Sequence, residues 1–116
     1  MNLYLRPLCL VIETSLLIPA RFDGYSLGPL VLVRPGASPG LIAHEQAHVR
    51  QFWRWLGTSG LVYQLSRKWR QRFEVEAYRA QLAVAGPAQA QYFAESLATK
   101  YDLALTEQEA LTLLTK

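Results

Sequence analysis

The sequence predicts an α+β domain in which a small β-sheet comes first and a set of helices follows. Three observations predict it. The first forty residues hold short, apolar, partly β-branched runs set apart by turn residues. The remainder carries helix-start signals ahead of longer stretches with helical apolar spacing. No repeat, low-complexity tract or long linker divides the 116 residues, so they form one domain around one core.

Residues 1–37 are the strand-rich part. Leu8 to Glu13 is one short apolar run, and Leu30-Val31-Leu32-Val33 is another, stopped by Arg34-Pro35-Gly36. Between them, Asp23-Gly24 and Leu27-Gly28-Pro29 are turn chemistry. The pattern predicts two or three short strands. Ser38-Pro39 then starts a helix, with Ser38 as N-cap and Pro39 in the first turn. It should run to about Leu56 and stop at Gly57. Ser59 caps a second stretch through Leu65. A third spans Arg70 to Ala85 and ends at Gly86-Pro87. Pro87 opens a fourth, to about Tyr101. Thr106 and Glu109 have capping-box spacing and begin a last short helix in a tail of residues 101–116.

Composition excludes several classes. Half the residues are hydrophobic (51%), which is not the makeup of a disordered chain. One cysteine, Cys9, permits neither an internal disulfide nor a cysteine-based zinc knuckle. It sits in Leu8-Cys9-Leu10-Val11-Ile12 and reads as a core thiol suited to a reducing, cytoplasmic setting. The apolar start, Met1 to Ala20, could pass for a signal peptide, but Pro7 and Glu13 interrupt it, so it reads as fold. No apolar stretch approaches the roughly 20 residues of a membrane helix, and no membrane partner is expected. Net charge is +3, with seven Lys or Arg and only two acids between Arg50 and Arg79. Such a strip is ordinarily the solvated side of amphipathic helices.

The residues that carry chemistry are His44-Glu45-Gln46-Ala47-His48, which hold both histidines of the chain. Positions i and i+4 of a helix share a face, so the two imidazoles can bind one metal ion. Glu45 lies about 100° round the helix from His44, within reach of a metal-activated water but not placed as a ligand. A catalytic zinc site needs three protein ligands and an open position. With no further histidine, the third comes from a carboxylate or Cys9. The best candidates are Glu74 and Glu76 in Arg72-Phe73-Glu74-Val75-Glu76-Ala77-Tyr78. Two residues apart on a helix, they point about 200° apart, so only one can face the metal.

The chain from about Phe22 to Leu82 resembles the gluzincin metallopeptidases, especially the minigluzincins and short HExxH proteins of phage genomes. The resemblance rests on the strand before Arg34-Pro35-Gly36, on Leu41 to Gln51 around the motif, and on Phe73 to Tyr78. It implies a zincin core, an active-site helix beside a glutamate-bearing helix, with Zn²⁺ as cofactor. In the wider class the second helix carries E-x-x-A-D, whose glutamate is the third ligand. On this sequence that glutamate is Glu74, with Ala77 matching and Tyr78 in place of the aspartate. That aspartate orients a zinc-bound histidine, a role worth about 10–100-fold in affinity or activity. Minigluzincins resemble latent enzymes with a covered cleft, which implies that residues 101–116 pack over or near the zinc site.

The expected function is therefore zinc-dependent hydrolysis of a polypeptide substrate. His44, His48 and Glu74 hold the metal, and Glu45 moves the proton. An oxyanion stabiliser, worth roughly 3 kcal/mol in comparable sites, is sought among Tyr63, Tyr78, Arg79 and Tyr92. Gln51 reads as polar surface, and Trp53 and Trp55 as core or cleft wall. The rival class is a non-catalytic zinc-binding module that meets nucleic acid or a protein through the basic strip. Against it, the chain has no recognised nucleic-acid motif, and a structural zinc has no use for Glu45.

Overall fold

A computed structural model describes residues 2–6, 9–16, 18 and 22–116, the first five as backbone only. Four strands form one sheet: β1 (Asn2–Arg6), β2 (Cys9–Glu13), β3 (Gly24–Leu27) and β4 (Leu30–Val33). Their order is β1-β2-β4-β3, with β2 and β4 parallel and both edges antiparallel. The sheet is larger than the two or three strands expected. The extra pieces are the N-terminal edge β1 and the edge β3. Gly24 and Ser26 make β3 read as turn rather than strand, because they lack the apolar pattern. The two-residue connection after Leu27 does behave as a hairpin turn, with Gly28 at φ +59° in the first central position. Met1, Pro7, Leu8 and Ala20, which figured in the strand and signal readings, lie outside the described residues.

Five helices follow: α1 (Pro39–Arg54), α2 (Ser59–Leu65), α3 (Arg67–Ala85), α4 (Ala90–Lys100) and α5 (Glu107–Thr115), with a 3₁₀ turn at Pro87–Gln89 before α4. The caps explain the boundaries. Ser38 Oγ accepts from the Leu41 amide at 3.1 Å. Ser66 Oγ accepts from the Trp69 amide at 3.2 Å, so α3 begins three residues before the expected Arg70. Ser59 is the first residue of α2 rather than its cap, a place taken by Thr58 without a side-chain bond. Thr106 and Glu109 form the full capping box.

Two cores hold these layers together. Cys9 and Val11 of β2, Val31 and Val33 of β4, and Val49 of α1 form the first, between sheet and helix. The second joins α3, α4 and α5 through Tyr78, Phe93, Leu97, Leu103, Ala110 and Leu114. The helix α1 lies between them, packed on β3 and β4 and on α3. Its approach to α3 is close because Gly40 has no side chain; a Cβ there would stand 3.3 Å from the Gln81 carbonyl oxygen. That short interhelical distance lets side chains one turn further along meet between the helices. Among the described residues, no helix is long and apolar enough to cross a membrane.

Candidate functional site

The i, i+4 spacing puts His44 and His48 on the face of α1 that turns toward α3, and Glu74 of α3 comes up between them. Glu74 Oε1 lies 3.3 Å from His44 Nε2 and 3.1 Å from His48 Nε2. The three ligand-type atoms all fall within 4.8 Å of one another, a group that could hold a metal ion. Tetrahedral ligands at about 2.0–2.1 Å from zinc stand about 3.3 Å apart, so two edges of the triangle already have that length. Two imidazoles and one carboxylate are also the donor set of known catalytic zinc sites. The residues present fit the ion.

The electrostatics agree with that use. Burial disfavours a charged His48, but the Glu74 carboxylate at its Nε2 outweighs burial and pushes the imidazole up to about 9. Burial likewise opposes ionisation of Glu74, yet His48 and the hydrogen bonds from both histidines hold its carboxyl far below the usual range.

Each ligand is gripped from behind, except one. Gln51, only 1% exposed, accepts from His48 Nδ1 at 2.8 Å through Oε1. Its amide orientation is forced, because Nε2 donates to the Phe73 carbonyl at 2.9 Å and to Glu76 Oε1 at 2.6 Å. Gln51 therefore holds a proton on His48 Nδ1, so that in the neutral ring Nε2 is the nitrogen that could take a metal. Gln51 is not the surface residue expected. Its signal was its place seven residues after His44 and three after His48, on the same helix face. Tyr63 of α2 donates to Glu74 Oε2 at 2.6 Å. Burial and the neighbouring Glu74 carboxylate raise its phenol, so it stays a donor. His44 Nδ1 is buried and has no partner among the described residues.

Glu45 is 5% exposed and lines the same cleft, of about 570 Å³. Burial raises its carboxyl, and Glu74 adds to the rise; the two histidines act against it. Gly24, at the start of β3, makes room for it: a Cβ there would come within 3.2 Å of Glu45 Oε2. The sequence offered Gly24 only as a turn residue. The facing strand edge of β3, from Gly24 to Leu27, lines the cleft, as do Arg70 and the segment Lys100-Tyr101-Asp102. The sequence did not single out Arg70 or Lys100 for the site, whereas Tyr101 and Asp102 open the tail expected near it.

Several expected participants lie elsewhere. Glu76, the alternative third ligand, faces away from the histidines and pairs with Arg54 at 2.8 Å, while also receiving Gln51. The opposite faces of α3 decide this, as their two-residue spacing requires. The Tyr78 hydroxyl bonds the Tyr101 hydroxyl at 2.8 Å and not His44, which meets only the Tyr78 ring, edge to face at 4.3 Å between centroids. Tyr78 is a core aromatic on α3. Arg79 donates to the Lys116 carbonyl at 2.6 Å, away from the cleft. Tyr92 is 57% exposed and also outside it. Helix α5 packs on α4 and α3 through Ala110 and Leu114 and completes the second core; the cleft is lined from that end only as far as Asp102. The apolar stripe of α5 is spent on that core, and Tyr101 and Asp102, which open the tail, are the part of it that lines the cleft. Trp55 packs against Trp69 and Phe73, whereas Trp53 is 43% exposed.

No family model, no curated protein and no solved structure matches this chain.

Proposed function

We propose that this chain is a zinc-dependent metallopeptidase that hydrolyses polypeptide substrates. The observation that carries the reading is the convergence of His44, His48 and Glu74 beside a buried, unligated Glu45 in an open cleft. A structural metal site needs the first three and not the fourth. Zinc at these ligands supplies Lewis acidity and lowers the pKa of the water it holds.

The chain's own residues account for the rest. Gln51 fixes the tautomer of His48, and Tyr63 fixes the free oxygen of Glu74, so the ligand set is pre-positioned. Glu45, with its carboxyl raised by burial, takes a proton from water and returns it to the leaving amine. The β3 edge along the cleft offers backbone groups to an extended peptide. The basic strip gives less support to a nucleic-acid module. Arg54 is paired with Glu76, Arg79 holds the C-terminal carbonyl, and Arg72 lies over the Trp69 ring.

The test is Glu45→Gln, with bound zinc and cleavage of an unstructured polypeptide both measured. The reading requires zinc retained and activity down by about 10²–10⁴-fold. A wild-type protein that binds no zinc refutes it, as does a Glu45→Gln protein that cleaves at the wild-type rate.

A further inference from the structure

Arg70 stands four residues before Glu74 on α3, so the two share a helix face, with their backbone positions about 6 Å apart along the axis. It lines the cleft. Its guanidinium is held by backbone carbonyls and not by an acid: Nη1 donates to Tyr63 O at 3.1 Å and Nη2 to Asp102 O at 3.4 Å. Its Nε is buried and has no partner among the described residues. A guanidinium held at two points this way is fixed in the wall and loses the freedom to swing toward solvent. Lys100, at the end of α4, lines the same wall and has no acid partner among the ion pairs of the described residues.

The acids of the cleft do not cancel these two cations. Glu45 and Glu74 belong to the proposed zinc site, where the ion offsets their charge. Asp102 is the remaining one. It lines the cleft beside Lys100, but its side chain is 87% exposed and its carboxylate lies 3.9 Å from Arg67, which does not line the cleft. The wall beside Glu74 is therefore positive, and partly desolvated.

We propose that Arg70 and Lys100 form a carboxylate subsite, so that the cleft takes polypeptides with a carboxylate close to the bond that is cut. The proposal rests on the peptidase reading for its geometry. One helical turn, about 6 Å, separates the backbones of Arg70 and Glu74, and an extended chain advances about 3.3 Å per residue, so the wall falls in the range of a group one or two residues from the scissile bond. Either an acidic side chain or the substrate's own C-terminal carboxylate supplies the charge. A fixed guanidinium with an ammonium beside it suits both.

Binding and cleavage separate the two ideas. Four labelled peptides of one sequence would be used, carrying Glu or Gln beside the cleavage position, each with a free or an amidated C-terminus. Binding is read by fluorescence anisotropy on zinc-loaded Glu45→Gln protein, and cleavage on wild type. The expected result is about tenfold tighter binding of a carboxylate-bearing peptide than of the Gln, amidated one. Preference for internal Glu assigns the subsite to side chains, and preference for the free acid assigns it to the chain end. The preference should shrink with added salt and reverse in Lys100→Glu, whose folding is checked by circular dichroism. Equal binding of all four peptides overturns the subsite, even if wild type cleaves them. A carboxylate preference without cleavage leaves the subsite standing and refutes the peptidase reading instead. If Lys100→Glu is folded and keeps the wild-type preference, the assignment of Lys100 is wrong and Arg70→Gln must abolish the preference for the subsite to survive.

Discussion

Replacing Gln51 by leucine removes one buried side chain and three hydrogen bonds while nearly preserving volume. His48 Nδ1 loses its acceptor at 2.8 Å, and the Phe73 carbonyl and Glu76 Oε1 lose their donor. The Phe73 carbonyl lies inside α3 and keeps its helical bond from the Ala77 amide, so losing the Gln51 donor costs the net worth of one hydrogen bond, about 0.5–1.5 kcal/mol. The second cost falls on the imidazole, whose Nδ1–H then has no partner unless the ring turns. Turning the ring moves Nε2 away from Glu74 Oε1. The expected destabilisation is about 2–4 kcal/mol, and the expected loss in zinc affinity about 10–100-fold. Urea unfolding of the zinc-free protein measures the first, and competition against a chromogenic chelator at fixed pH measures the second. A folded Gln51→Leu protein that binds zinc within about threefold of wild type would refute the claim that this residue orients His48.

Other expectations follow from single contacts. In the zinc-free protein, His48 is raised from 6.5 to about 9, so its contribution to stability is complete below about pH 6.5 and is lost as pH rises through 9. At 1.36 kcal/mol per tenfold change in proton affinity this amounts to about 3 kcal/mol, and the raised carboxyl of Glu45 acts in the same direction. Glu74 is lowered, so its share is present above its ordinary value and lost as pH falls through its folded one. Urea unfolding from pH 4 to pH 10 should therefore show greatest zinc-free stability in mildly acidic solution; a curve flat from pH 6 to pH 10 contradicts the His48–Glu74 pairing. Gly24→Ala should press on Glu45 Oε2 from 3.2 Å and lower peptidase activity by about tenfold, with zinc content unchanged by elemental analysis. Tyr78→Phe should cost about 1 kcal/mol through the lost bond to Tyr101 yet leave zinc affinity as it was. A tenfold drop in zinc affinity in that variant would mean that the Tyr78 hydroxyl, and not only its ring, supports His44.

Much of the fold was legible because it is written in local rules. Ser38 with Pro39, and Thr106 with Glu109, announce their helices through contacts three residues away. The same locality made His44, Glu45 and His48 readable as a unit, since a helix fixes their relative directions whatever surrounds it. The sequence also made Glu74 and Glu76 the best candidates for a third ligand. It could not choose between them by spacing, because the choice depends on which face of α3 meets α1. In the structure it is Glu74 that meets both histidines. Gln51 shows the same boundary. Its position on the histidine face was visible, but whether that face meets solvent, or the Phe73 carbonyl and Glu76, is a property of two helices together. The strand β3 escaped notice for a related reason. Gly24-Tyr25-Ser26-Leu27 has little strand character alone and becomes a strand by pairing with β4. Directions within one helix came from the sequence. What those directions point at was decided only when the helices and the sheet packed.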